Sequence, residues 1–215
     1  GAVVPRVSPK QAQAGSAVRP VAGAVDSGGA ILPALVVFAA IQFVAWDSRV
    51  AVVAAAPLLA GAGVFTAVIV RYYLFSGDPA VVPGSRLVHL ALTAGVAFLS
   101  LSLARNWMAG PAYSLVIVFV ISSLLLIQAF DGVHTFPIRR TAYALAGAAV
   151  VAETALAQSY WPPSGWYGGA FLTTVFVVLM LTIDAILSRR IATDVVTRYV
   201  SAGVGVCGLL IVLAR

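Results

Sequence analysis

Two acids, Glu153 and Asp184, stand inside otherwise apolar stretches of this chain, and their type and place could carry chemistry. A carboxyl at membrane depth can move a proton, hold a cation, or join two helices by hydrogen bonds. Glu153 is the one charge in 141–159, and Ala142, Ala146, Ala149 and Ala157 recur around it at helical spacing. Small residues let another helix approach closely, so the carboxyl is expected to point inward, into a packed bundle or a wet cavity. There it would either hold a proton or pair with Arg49 or Arg105. Asp184 precedes Arg189 and Arg190 by about one turn, which suits a structural role at the interface or in an ion pair with an arginine.

Between the two acids runs the loop Tyr-Trp-Pro-Pro-Ser-Gly-Trp-Tyr-Gly-Gly at 160–169. Its Tyr160, Trp161, Trp166 and Tyr167 are expected to join Trp46, Arg49, Arg105 and Trp107 in one rim, with Glu153 a few residues' rise beneath it. These nine residues form the candidate ligand site. Such a rim is either an aromatic belt that fixes depth in the bilayer or a mouth with aromatic walls for a small or amphipathic ligand.

Other chemistry finds no support. A retinal Schiff base needs a lysine in a membrane helix, and the one lysine is Lys10, before the first apolar run. Haem ligation needs histidines at depth; His89 lies close to Arg86, where a polar interfacial role is expected, and His134 falls in a loop. Asp131 and His134 bring no further metal ligand. The single cysteine, Cys207, sits in an apolar run and forms neither a CxxC motif nor a disulfide within the chain. There is no HExxH, no GxSxG and no glycine-rich phosphate loop. No catalytic residue, metal or cofactor is assigned, and an enzyme is the less favoured reading.

The elements that must position these residues follow from composition. Hydrophobic residues make up 61% of the 215 and charged residues 9%, where a soluble domain averages about a quarter charged. The chain therefore reads as an all-α integral membrane protein, a polytopic bundle. Apolar runs at 30–46, 50–70, 87–104, 112–130, 141–159, 169–188 and 195–214 predict seven transmembrane helices. Six spans plus a re-entrant or interfacial last segment are the fallback, because Arg198, Gly203, Gly205 and Gly208 weaken the last run. Pro57 predicts a kink in the second. Residues 1–29, with Pro5, Pro9 and Pro20, read as a flexible cytoplasmic tail without a signal-type apolar core, and 30–215 as one membrane domain.

Charge sets the expected orientation. With seven spans, Arg6, Lys10, Arg19, Arg71, Arg86, Arg139, Arg140, Arg189, Arg190 and Arg198 fall on one side, and Arg49, Arg105 and Arg215 on the other. That bias predicts a cytoplasmic N-terminus and an extracytoplasmic C-terminus in a plasma (inner) membrane. All four tryptophans fall on the opposite, outer side. The net charge of +6 is thereby explained by topology rather than by nucleic-acid binding.

Three functional classes remain. The first is a small membrane protein that binds or moves a solute or lipid-like ligand, with Glu153 as internal acid. The second is a non-catalytic accessory subunit of a larger complex, with Glu153 and its alanine face against a partner subunit's helix. The third is a lipid-modifying enzyme, for which only Glu153 and Tyr160 can be nominated.

Overall fold

The computed structural model describes residues 27–46, 49–75, 80–106, 111–130, 136–160, 166–188 and 193–213. The described residues hold seven α-helices: α1 Ile31–Trp46, α2 Val50–Phe75, α3 Val82–Asn106, α4 Pro111–Ala129, α5 Pro137–Tyr160, α6 Trp166–Leu187 and α7 Thr193–Leu213. A short 3-10 turn, Ser27–Ala30, leads into α1. The chain is a helical membrane bundle. Five helices, α2, α3, α4, α6 and α7, are long and apolar enough to cross a bilayer; α1 is shorter, and α5 is not among the five. The last apolar run forms a full-length helix despite its glycines.

Each helix packs against the next in sequence, and α3 also packs against α6 and α1. This puts α3 at the centre, with α1, α2, α4 and α6 around it, while α5 lies against α4 and α6, and α7 lies outboard on α6. Short connections make neighbours antiparallel, so the bundle has two ends. One carries Arg71, Arg86, Arg139 and Arg140; the other carries Arg49, Tyr160 and Trp166.

The core is built from side chains such as Leu101, Val118, Leu125, Leu126, Phe176 and Met180, all buried. Glycine sets the closest approaches. A Cβ on Gly169 would lie 2.6 Å from the Cα of Ser102, so α3 and α6 touch backbone to backbone there. A Cβ on Gly147 would lie 2.9 Å from Leu126 and 3.0 Å from Ile183, which seats α5 against α4 and α6. Around it Ala144, Ala148, Val151, Ala152, Ala155 and Gln158 form the buried face of α5.

That face corrects the expectation for Glu153. The carboxyl does not point inward: Glu153 is exposed, as are Ala142, Ala146 and Ala157 on its side of α5. Alanine occupies both faces of this helix, and the inward face is the one that carries Gly147 and the larger Val151. The grouping of Glu153 with Ala142, Ala146, Ala149 and Ala157 holds; the direction of that face does not.

Candidate functional site

Of the nine residues expected at the rim, the structure describes the side chains of Glu153, Arg49, Tyr160, Trp166 and Tyr167. The side chains of Trp46 and Arg105, and all of Trp107 and Trp161, lie outside the described residues, as do 1–26, Asp131, His134, Arg189 and Arg190. Trp166, in the first turn of α6, is the one that gathers others. Its ring stacks on Phe98 of α3 with centroids 6.0 Å apart and meets Phe43 of α1 at 6.4 Å. Three helices are thereby joined at this end by aromatic contact. Tyr167 beside it is half exposed, and Tyr160 at the end of α5 is 83% exposed. Gln158 reaches from α5 to the carbonyl of Gly168 at 3.4 Å, so the two ends of the 160–169 loop are tied together. Arg49 caps the start of α2 with its carbonyl, which accepts the N–H groups of Val52 and Val53.

Glu153 does not lie beneath this cluster. It stands on the outer face of α5, about 10 Å along the axis from Tyr160, and makes no hydrogen bond or ion pair with a described residue. The geometry therefore separates the acid from the aromatic residues it was expected to serve.

A second polar cluster occupies the opposite end. The guanidinium of Arg86 on α3 pairs with the carboxylate of Asp184 on α6 and lies 3.4 Å from the Ser188 hydroxyl. Asp184 is thus in an ion pair with an arginine, here one from another helix. One turn further along α3, His89 is 3% exposed, with Nε2 3.0 Å from the Gln128 carbonyl of α4. It lies at the arginine-rich end as expected from its closeness to Arg86, but packed between α3 and the last turn of α4 rather than on the surface. The Thr93 hydroxyl donates to the His89 carbonyl at 2.8 Å. Further along this interior, Ser100 of α3 and Ser114 and Ser122 of α4 are buried, with hydroxyls that find no partner among the described residues. Arg86, His89, Thr93 and Ser100 recur at spacings of three, four and seven, a one-face helical pattern that sequence reading alone could have found.

Between α1 and α2 lies a lateral groove of about 290 Å³, lined by Val37, Ala40, Ile41 and Val44 of α1 and Ala56, Pro57 and Ala60 of α2. Its walls are almost wholly apolar, and Pro57 lacks the N–H that would bond the Val53 carbonyl. Among the described residues no three His, Cys, Asp or Glu side chains gather as a metal site would require.

Comparison with known proteins adds a family and no assigned activity. No curated protein and no solved structure matches the chain. The model of the family described as "Protein of unknown function (DUF5656)" matches residues 6–213, nearly the whole chain, and the chain belongs to that family.

Proposed function

We propose that this chain is a non-catalytic subunit of a larger membrane assembly and that it docks through the outer face of α5. The observation that carries this reading is the position of Glu153, outward on a face of alanines and without a hydrogen-bond or ion-pair partner among the described residues. A charged side chain facing lipid costs about 2.5–3.5 kcal/mol at the centre of a span on insertion scales and less toward a helix end, where Glu153 lies, and a partner helix that offers a hydrogen bond offsets this cost. The alanines alongside lower the steric barrier to that helix. A ligand-binding protein with Glu153 as internal acid, the reading favoured by sequence alone, loses its main support once the acid faces outward.

The test is purification in mild detergent, where the assembly reading expects a complex larger than one chain, dispersed by Ala146→Leu on the docking face. A chain that purifies as a monomer with unchanged behaviour in the variant contradicts it. In this reading the arginine-rich end is cytoplasmic and the Trp166 end is extracytoplasmic, from the distribution of basic residues. A cysteine placed at Ser164 and labelled from outside intact cells checks this; labelling only after the inner face is opened reverses the orientation.

A second reading, binding of a lipid-like ligand, is favoured by the α1/α2 groove. Its apolar lining and lateral opening suit an acyl chain. Ala56→Leu and Ala60→Leu would fill it, and loss of a co-purifying lipid measured by mass spectrometry would support this reading.

A further inference from the structure

We propose that the seam between α3 and α4 binds internal water at its Trp166 end, held by the hydroxyls of Ser100 and Ser114, and that an apolar band keeps this water from the arginine-rich end. The site goes beyond the assembly reading and does not depend on it.

In a bilayer a helical serine or threonine ordinarily satisfies its hydroxyl on the carbonyl one turn back. Ser85, Thr93, Ser123, Thr154, Thr173 and Thr174 all do so, donating to the carbonyl four residues earlier. Ser100 and Ser114 depart from the pattern. They are 2% and 3% exposed, and neither hydroxyl has a hydrogen-bond partner among the described residues. Two other buried serines with bare hydroxyls lie elsewhere: the backbone of α6 at Gly169 closes directly over Ser102, and Ser122, one turn before Leu126, sits on the side of α4 where Leu126 meets Gly147 of α5.

The contact between His89 and the Gln128 carbonyl pins the register of the two antiparallel helices. Ser100 stands eleven residues further along α3, about 17 Å, and Ser114 fourteen residues back along α4, about 21 Å, so the two hydroxyls lie within about one turn of each other in height. Each is on the side by which its helix meets the other: Ser100 continues the line of His89 and Thr93 at spacings of four and seven, and Ser114 is two heptads from Gln128. A water that bridges two hydroxyl oxygens spans about 5.5 Å, which suits that offset, and the free lone pair of a helix carbonyl offers a further bond. Toward the arginine-rich end the seam turns to Val96 of α3 and Ile121 and Leu125 of α4, all buried. Their side chains offer water no hydrogen bond, so the band is dry.

X-ray radiolysis of the full chain in liposomes tests the site, because radicals born from bound water oxidise the side chains beside it even where bulk solvent does not reach. Two buried leucines report: Leu103, level with Ser114 and on the seam line of His89 and Val96, and Leu125 in the band. In the unsubstituted chain Leu103 is expected to take up oxygen roughly tenfold faster than Leu125, read by mass spectrometry of the peptides. Ser100→Ala combined with Ser114→Ala is expected to bring Leu103 down to the level of Leu125. Equally slow uptake at both leucines of the unsubstituted chain overturns the water site, and equally fast uptake overturns the dry band. Those two outcomes need no variant, so a substituted chain that fails to insert does not protect the proposal. Fast uptake at Leu103 that persists in a folded double variant overturns the assignment to the two hydroxyls.

Discussion

The two acids of the membrane helices have opposite surroundings. Asp184 is drawn into the bundle by Arg86 from the central helix, with Ser188 alongside, and its charge is answered within the chain. Glu153 sits on an edge helix, on the side turned away from α4 and α6, and nothing in the described chain answers it. The difference separates a charge that serves the fold from one that serves something outside it. Asp184 is 17% exposed and its removal should register as stability; removal of Glu153 should register as association.

The contact that holds α3 and α6 in place gives the largest expected effect. Gly169→Ala drives a methyl to within 2.6 Å of the Ser102 backbone and should cost about 3 kcal/mol or more, read by unfolding in mixed micelles. Gly205→Ala on α7, where the added carbon meets nothing, should be neutral or slightly stabilising. Equal effects at the two sites would mean that α3 and α6 do not touch as described. Next comes the ion pair itself. Arg86→Ala leaves a partly buried carboxylate without its cation and should cost about 2–3 kcal/mol, whereas Asp184→Asn keeps an acceptor oxygen for Arg86 and should cost about 1 kcal/mol. If Asp184→Asn folds and inserts normally yet abolishes a cellular phenotype, the acid has a functional task and the contrast with Glu153 fails.

The helices were legible because long apolar runs in a bilayer admit one backbone solution. Their starts were less so. α5 begins at Pro137 and not near 141, because Ile138, Arg139 and Arg140 are helical while the arginines interrupt the apolar count. α3 likewise extends back over Pro83, Gly84 and Arg86, and His89 is buried by its packing against Gln128 of α4. The direction of Glu153 was not legible, since α5 has alanine on both faces and periodicity alone does not rank them. Packing at Gly147 decides it, through contacts to Leu126 and Ile183 that come from two other helices. The place of Asp184 near a helix end marks it as a structural acid, but Arg86, which pairs with it, lies 98 residues away in sequence and no local pattern names it.

The aromatic end sharpens the same contrast. Trp166→Ala removes the contacts with Phe43 and Phe98 and should destabilise the chain by about 2 kcal/mol, less than for a fully buried tryptophan because the ring is 36% exposed. Tyr160→Ala, at the exposed end of α5, should change stability by less than about 0.5 kcal/mol. If both variants fall together in stability, the rim is a single unit reaching α5, and Glu153 is closer to it than the separation along the helix implies.

The smallest effect on the isolated chain is expected for Glu153→Leu, and its sign in two measurements tells the readings apart. Unfolding of the monomer should shift by less than about 0.5 kcal/mol, since the side chain is exposed and makes no hydrogen bond or ion pair with a described residue. Insertion of α5 should become easier, because a carboxyl leaves the apolar region. If Glu153 meets only lipid, those are the only consequences, and the amount of assembled protein stays level or rises. If it meets a partner, leucine removes the hydrogen bond that offsets the carboxyl's cost, and association falls while insertion improves. Förster transfer between labelled chains in liposomes, measured beside insertion efficiency, gives both signs: a loss of transfer with better insertion fits the docking face, and unchanged transfer leaves Glu153 without a role in assembly.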